Sequence, residues 1–261
     1  MSRTIENILY QASQIFQGSN LKIFVGFKFV LFLFYLLSVA TVSELDQRYV
    51  LVPAQIKDCM LVYILREHAA EKSVIIFTST CRNCQVLAYL LRKVELSCVS
   101  LHSLMSQSDR LSTLARFRSG IAKILVSTDV ASRGLDIPNV DLVINSNVPA
   151  QATDYIHRVG RTARAGRGGM ALTLMTQYDI QRIQAIEERI NIKLAEFETD
   201  ETEALKLLKA VSVVRREVEM RLNDSKFGEK REINKRKKRL IEKGKAQSSH
   251  KRKSKSEHVK S

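Results

Sequence analysis

The sequence predicts an α/β fold, in which a parallel β-sheet has helices on both faces and a helical extension and basic tail follow it. Short apolar runs such as residues 73–77 (SVIIF) are typical of parallel strands buried on both faces. Segments with apolar residues at helical spacing alternate with these runs about six times, and the connections are short. This alternation favours a parallel sheet over a helical bundle or a sandwich.

Each element has its own local signal, beginning at residue 45. Strands are predicted over residues 48–53, 73–77, 98–101, 123–128, 140–144 and 170–175. Helices are predicted over residues 54–68, 83–94, 106–119, 152–161 and 180–190. Pro53 ends the first strand because proline lacks the amide donor, and Gly120 stops the third helix. Ligands of such sheets bind at the carboxyl ends of the strands, so candidate site residues are sought there.

The charge of the chain is concentrated at its end. The 261 residues include 42 Lys or Arg and 27 Asp or Glu, a net charge of +15. Residues 226–261 hold 15 Lys or Arg and 4 Glu, so +11 lies in this segment. Such an excess predicts a polyanionic partner, either nucleic acid or an anionic membrane surface. The 4 Cys exclude a disulfide scaffold and suit a reducing compartment.

Composition divides the chain into four segments. An apolar head covers residues 1–43, a balanced α/β unit 44–195, an amphipathic helical extension 196–225 and a basic tail 226–261. In the extension, apolar residues recur in three- and four-residue steps at Leu205, Leu208, Val211, Val214, Val218 and Leu222. Such a helix either docks on its own domain or binds a partner.

The apolar head allows three interpretations. Residues 29–40 (FVLFLFYLLSVA) carry no charge, but this run is shorter than the roughly 20 residues that a spanning helix needs. The run is therefore a membrane or signal segment, a buried helix or strand, or a translated intron or wrongly assigned start. The abrupt change of composition near Val42 favours the intron.

Two polar segments combine residue types that bind phosphate. Residues 129–136 (DVASRGLD) follow a predicted strand at its carboxyl end. Residues 157–167 (HRVGRTARAGR) interleave Arg with Gly, and Arg161 and Arg164 would share one face of a helix. Forked guanidinium groups suit a phosphate, and glycine allows the backbone to approach it closely. The alternatives are an ordinary turn and a solvated basic helix end.

Four motifs occur in a fixed order: residues 74–80 (VIIFTST), 107–110 (QSDR) with Phe117-Arg118, 127–136 (STDVASRGLD) and 157–164 (HRVGRTAR). Together they resemble the second RecA-like domain of a DEAD-box ATP-dependent RNA helicase. The resemblance covers about residues 45–194. It implies a RecA-like sheet for the predicted α/β unit.

The resemblance implies the roles of the nucleotide-site residues. Arg161 and Arg164 would be arginine fingers that stabilise charge on the transferred phosphoryl group of ATP. Asp136 would contact the ribose of the nucleotide. The ligand would be ATP with Mg²⁺, and the metal ligands are expected in a first domain.

The resemblance also implies an RNA partner. Thr80, Arg110 and Thr128 would hold the sugar–phosphate backbone, which makes binding independent of base sequence. Arg133 and His157 would help to couple the RNA and nucleotide sites. The basic extension resembles that of nucleolar, ribosome-assembly members of the family. The resemblance implies a monomer in the nucleus, in the nucleolus, that acts on pre-ribosomal particles. A membrane partner is not expected.

The sequence departs from the family pattern in one respect. It contains neither G-x-x-x-x-G-K-[ST] nor an Asp-Glu-Ala-Asp box. We therefore expect no ATPase activity from this chain alone and interpret it as part of a helicase. The alternative is a stand-alone RNA-binding module without ATPase activity.

Two further patterns have structural explanations. Cys81 and Cys84 have the C-x-x-C spacing of a zinc or redox site, but no second pair exists, and a structural zinc site needs four ligands. Both are expected near the start of a helix. His102 follows a strand and is expected to be a packing or turn residue.

Overall fold

The computed structural model describes residues 45–132, 135, 137–162, 169–225 and 227. The strands are β1 (Asp46–Leu51), β2 (Val74–Thr78), β3 (Cys98–Leu101), β4 (Ile124–Thr128), β5 (Leu142–Asn145), β6 (Met170–Met175) and β7 (Ala195–Glu196). The helices are α1 (Lys57–Glu67), α2 (Cys81–Lys93), α3 (Gln107–Arg118), α4 (Asp129–Ser132), α5 (Ala152–Val159), α6 (Ile180–Ile190), α7 (Glu201–Lys206) and α8 (Leu208–Asp224). A 3₁₀ turn, Gln177–Asp179, precedes α6.

The strands form one parallel sheet in the order β3-β4-β2-β5-β6-β1-β7. Alternate residues of each central strand point to opposite faces. Val74 and Ile76 face α1, α2 and the extension, whereas Ile75 and Phe77 face the side covered by α3 and α4. All five residues of β2 are buried, which confirms the prediction of parallel strands covered on both faces.

The helices α5 and α6 complete the second face next to β6. Tyr155 and Val159 of α5 pack with Ile183 and Ile186 of α6 against Ala171 of β6. The Tyr155 hydroxyl donates a hydrogen bond to Gln47 Oε1 of β1 (2.9 Å), and burial raises its pKa. Helix α5 is therefore fixed to the sheet along its length.

The extension packs on the first face. Val218 and Leu222 of α8 are buried against Val86 of α2, and Val211 joins the main core. Arg215 forms an ion pair with Asp58 of α1. The structure therefore shows the first of the two interpretations of the amphipathic pattern, in which the extension docks on its own domain.

Most predicted elements appear with small shifts of their ends. The strands at 98–101 and 170–175 and the helix at 180–190 have the predicted bounds. The amphipathic extension, predicted over residues 196–225, is not one helix, because the structure has two helices that meet at Leu207. Strand β7 and helix α4, which have only two and four residues, were not predicted.

The apolar head lies outside the described residues, and its three interpretations stay open. Among the described residues, no helix has the length and apolar character needed to cross a membrane.

Candidate functional site

The residues predicted to bind RNA lie at the carboxyl ends of β2 and β4. Thr80 follows β2 and caps α2, because its Oγ1 accepts a hydrogen bond from the Asn83 amide (3.1 Å). Thr128 is the last residue of β4, the neighbour of β2, and is buried. The fold thus brings together two of the predicted RNA-binding residues.

Arg110 lies in the first turn of α3 and reaches the same end of the sheet. Its Nη2 donates to the carbonyl oxygen of Ala131 in α4, which directly follows β4 (3.2 Å), and its Nη1 donates to Gln107 Oε1 (3.2 Å). Within the described part of the chain, Arg110 Nε and Thr128 Oγ1 are buried without a hydrogen-bond partner. Buried polar atoms are normally paired, so a ligand or an ordered water that reaches these atoms would supply the partners they lack.

Arg158 is the most buried charged residue of the site. It lies on α5 with 2% of its surface exposed. Its Nε and Nη2 donate to the two carboxylate oxygens of Asp129, at 2.6 and 2.8 Å. This two-point pairing is the geometry in which an Arg–carboxylate pair is strongest. Asp129 directly follows Thr128, so the pair ties α5 to the end of β4.

The remaining donors of Arg158 hold the end of β5. Its Nη1 donates to Asn145 Oδ1 (3.0 Å) and to the carbonyl oxygen of Asn147 (2.8 Å). Its guanidinium carbon lies 5.2 Å from the centre of the Phe77 ring. Asn147 Oδ1 in turn accepts a hydrogen bond from the Ser79 amide (3.2 Å). One side chain therefore links the segments that follow β2, β4 and β5.

Arg161 lies at the other end of the strands. Helix α5 runs back along β5, so the residues after it reach the start of that strand. The carbonyl oxygen of Arg161 accepts a hydrogen bond from the amide of Val140, two residues before β5 (3.0 Å). The Arg161 backbone therefore lies apart from the carboxyl ends of the strands, because the residue follows a returning helix and not a strand, and its nucleotide role stays a prediction.

One of the two predicted coupling residues, His157, lies among the described residues. The His157 side chain is exposed, whereas its neighbour Arg158 is buried in the network. Arg133, Asp136 and Arg164 lie outside the described residues, and their roles stay predictions. The pairing of Arg158 with Asp129 was not predicted, because the two residues are 29 positions apart and give no local signal.

Among the described residues, no group of three or more His, Cys, Asp or Glu could hold a metal ion. Cys81 is the first residue of α2, as expected, but the Cys84 Sγ points into the core and donates to the carbonyl oxygen of Val126 (3.2 Å). Burial raises the pKa of the Cys84 thiol to about 12. His102 is buried, in agreement with a packing role.

Comparison with known families and structures agrees with this geometry. Residues 56–166 match the "Helicase conserved C-terminal domain". The human "Probable ATP-dependent RNA helicase DDX49" is 55% identical over 207 residues, which are 78% of this chain and 43% of that protein. The chain thus spans less than half of the length of this curated relative.

Solved DEAD-box structures share the fold. The E. coli DEAD-box protein SrmB, solved with regulator of ribonuclease activity A, matches with a TM-score of 0.56 and 33% identity over 60% of this chain and 92% of that chain. Dbp5 of S. cerevisiae, solved with RNA and ADP BeF3, matches with a TM-score of 0.55 and 30% identity over 66% of this chain and 46% of that chain. The chain belongs to the DEAD-box RNA helicase family, of which it carries the helicase C-terminal domain.

Proposed function

We propose that this chain is the half of an ATP-dependent RNA helicase that grips RNA and completes the nucleotide site. The observation that carries the proposal is the two-point contact between Arg158 and Asp129. Asp129 adjoins Thr128 on the RNA side, and Arg158 lies three residues before Arg161 on the nucleotide side. In this proposal, one ion pair transmits a movement of the RNA-binding residues to the nucleotide-binding residues, and a movement of the nucleotide-binding residues back.

The chemistry follows from the residues on each side. Arg161 and Arg164 act as arginine fingers on the γ-phosphate, and such a finger typically contributes about 10³–10⁵ in rate. Asp136 contacts the ribose. Thr80 and Arg110, with Thr128, contact only the RNA backbone, so the enzyme separates strands or remodels RNA–protein complexes independently of sequence.

This chain alone does not hydrolyse ATP in our proposal. The sequence has no G-x-x-x-x-G-K-[ST] loop, and the residues that bind the phosphates and Mg²⁺ are expected in a first domain. Purified chain 1–261 is expected to show no ATPase activity with or without RNA. RNA-stimulated turnover that Arg161→Ala abolishes would contradict this proposal.

A second candidate is a stand-alone RNA-binding module without ATPase activity. The +11 charge of residues 226–261 favours it. The two candidates differ when the chain is mixed with a separately purified first domain that carries the phosphate loop. If the chain is the helicase half, the mixture is expected to show RNA-stimulated ATPase activity, and Arg161→Ala is expected to remove it. If the chain is a stand-alone RNA-binding module, the mixture is expected to show none.

We propose a nuclear, nucleolar location and a role in rRNA processing on pre-ribosomal particles. The basic runs at residues 235–239 (KRKKR) and 251–255 (KRKSK) support it, since such clusters serve both nuclear import and RNA contact. A fluorescent fusion of the chain is expected in the nucleolus. Exclusion from the nucleus would contradict this location.

A further inference from the structure

A cavity of about 410 Å³ lies at the carboxyl end of β1, beside the edge strand β7. Part of its lining is apolar and comes from Val52 and Met60, which are buried. Leu51, the last residue of β1, also lines the cavity and is 56% exposed. The cavity therefore joins the apolar interior to an exposed leucine at the edge of the sheet.

The rest of the lining is acidic, and we call this site the acidic cavity. Residues 196–203 (EFETDETE) contain five acidic residues and no basic residue, although the net charge of the chain is +15. Asp200 accepts a hydrogen bond from the amide of Thr202 (2.9 Å), and Glu203 pairs with Lys206. The other three are exposed in the cavity and form no ion pair with any residue of the described ranges: Glu196, Glu198 and Glu201.

Arg48 is a cation close to the acidic cavity, but it has its own partner. Its pKa is raised by its hydrogen bond to Asp46 and, to a smaller extent, by the charge of Glu198. Its guanidinium carbon lies 5.9 Å from the centre of the ring of Phe197, another residue of the lining. Because Arg48 pairs with Asp46, the glutamates of the cavity keep their attraction for a further cation.

The charge and the apolar lining together determine the class of ligand. Carboxylates repel the phosphates of a nucleic acid, so the acidic cavity does not suit RNA. No group of three or more His, Cys, Asp or Glu in the described part of the chain could hold a metal ion. Lys and Arg side chains fit such a surface, because their aliphatic stems pack on apolar groups while their charged ends reach carboxylates.

The backbone of β1 is open beside the acidic cavity. The amide of Val52 donates to the carbonyl oxygen of Met175, which ends β6 (2.9 Å). On the other side of β1, the amide of Phe197 donates to the carbonyl oxygen of Tyr49 (2.9 Å). Since successive residues of a strand point to alternate neighbours, the N–H and carbonyl groups of Leu51 point to the side of β7. Strand β7 pairs only as far as Tyr49, and no described strand lies beside Leu51.

We propose that the acidic cavity and the open edge of β1 form a docking site for a partner protein, which inserts an extended segment with Lys or Arg alternating with apolar residues. The segment pairs with the backbone of Leu51, and its apolar side chains face Val52 and Met60. Its cationic side chains meet the three glutamates. Addition of a strand to a sheet edge is a recurring mode of peptide recognition, in which side-chain pockets give the specificity.

This site is separate from the proposed RNA-binding residues. Strands β5 and β6 lie between β1 and β2, so three strand spacings, about 14 Å, separate the acidic cavity from the segment that follows β2. The inference therefore goes beyond the proposed function and does not require RNA at Thr80, Arg110 or Thr128.

The test measures binding of fluorescent seven-residue peptides to the full chain by anisotropy. In the Lys peptide, Lys alternates with Val and Leu, and in the matched Gln peptide each Lys is replaced with Gln. The cavity variant carries three substitutions: Glu196→Gln, Glu198→Gln and Glu201→Gln. The control variant neutralises three exposed carboxylates of other elements: Glu67→Gln, Glu188→Gln and Asp224→Asn.

The Lys peptide is expected to bind the parent chain more tightly than the Gln peptide does. The cavity variant is expected to bind the Lys peptide about tenfold more weakly, because three exposed ion pairs are lost, and the control variant within about twofold of the parent. Equal affinities of the two variants for the Lys peptide would overturn the proposal. Absence of saturable binding to the parent chain would overturn it as well.

Two further comparisons test the apolar and backbone contacts. Leu51→Ala is expected to weaken binding of the Lys peptide about threefold, whereas Leu111→Ala leaves it unchanged, although both leucines are 56% exposed. N-methylation of alternate amides along one edge of the peptide removes the donors that face β1, and N-methylation along the other edge spares them. One methylated peptide is therefore expected to bind weakly and the other like the unmodified peptide. Equal binding of both would show that no strand is added and would overturn the proposal.

A second copy of this chain is the other occupant that the test covers. Sedimentation velocity is expected to show monomers of both the parent and the cavity variant. Self-association of the parent that the cavity variant abolishes would assign the acidic cavity to a second copy and overturn the proposal.

Discussion

Arg158 donates two hydrogen bonds to the carboxylate of Asp129, from Nε to Oδ1 (2.6 Å) and from Nη2 to Oδ2 (2.8 Å). The Arg158 side chain is 3% exposed. The pair joins the end of β4 to α5 at the centre of the candidate site. The Asp129 side chain is 25% exposed, so the pair is buried on the Arg158 side. Such a pair is stabilising only while both partners are present, because removal of either leaves the other charge shielded from water without its partner.

Removal of one partner is therefore expected to destabilise the domain strongly. We expect Arg158→Ala to lower the free energy of unfolding by about 3–5 kcal/mol. The measurement is urea unfolding followed by circular dichroism. Arg182→Ala is the matched control, because Arg182 also pairs with an aspartate, Asp179, but is 56% exposed, and its loss should cost less than about 1 kcal/mol. Equal effects of both variants would contradict the assignment of Arg158 as a buried link.

The Asn147 side chain is expected to protect the backbone amide of Ser79, the residue before Thr80, from hydrogen exchange. Its Oδ1 accepts the Ser79 amide, so Asn147→Ala should speed hydrogen exchange of that amide by about 2- to 10-fold, the equivalent of ~0.5–1.5 kcal/mol. Asn147→Asp keeps an acceptor and should preserve the protection. NMR hydrogen exchange measures both variants, and faster exchange in Asn147→Asp than in Asn147→Ala would rule out this hydrogen bond.

The docking of α8 can be tested with two substitutions on one helix. Leu222 is 4% exposed against α2, so Leu222→Ala should cost about 2–5 kcal/mol of unfolding free energy. Met220 is 61% exposed, and Met220→Ala should change stability by less than about 0.5 kcal/mol. Thermal unfolding is the measurement. An undocked extension would make Leu222→Ala as mild as Met220→Ala.

The four thiols are expected to differ in reactivity. Burial raises the pKa of Cys59, of Cys84 to about 12 and of Cys98 to about 11, whereas Cys81 is only half-buried at the start of α2. Because the thiolate is the nucleophile, iodoacetamide at pH 8 should modify Cys81 alone in the native chain and all four after denaturation. Mass spectrometry of the peptides identifies the modified residues. Rapid native modification of Cys84 would contradict its burial.

The same thiols make stability depend on alkaline pH. An unfolded thiol ionises near pH 9, whereas Cys84 stays protonated up to about pH 12 in the folded chain. The native state therefore binds more protons between these values, and the free energy of unfolding falls as pH rises through them. Cys84→Ser should reduce this fall relative to Cys81→Ser in unfolding measured from pH 8 to pH 11. Equal pH dependence of the two variants would contradict the prediction.

Local pattern was sufficient for most of the sheet and helices. The run VIIFT of β2 is apolar or β-branched throughout, and the spacing of Ile183, Ile186 and Ile190 on α6 reports one buried face. Both signals lie within a single element. By contrast, β7 has two exposed residues that become a strand only by pairing with Arg48 and Tyr49 of β1, so nothing local predicts it.

The site shows the same limit. The motifs identify Thr80, Arg110 and Thr128 as candidates, and the fold brings these residues to one end of the sheet, while their contact with RNA stays a prediction. Arg158 belongs to the Arg-rich segment at residues 157–167, whose pattern favours contact with phosphate or a solvated helix end. Its burial depends on Asp129 and Asn145, which other elements supply, and only the fold brings these partners to it.

The strand order has a consequence for synthesis of the chain on the ribosome. Strand β1 is made first, yet its neighbours are β6 and β7, and Asp46 pairs in register with Met170. At typical translation rates the partner strand is completed on the order of 10 s later. During that interval β1 exposes backbone edges that have no partner strand, and such edges can pair with other chains.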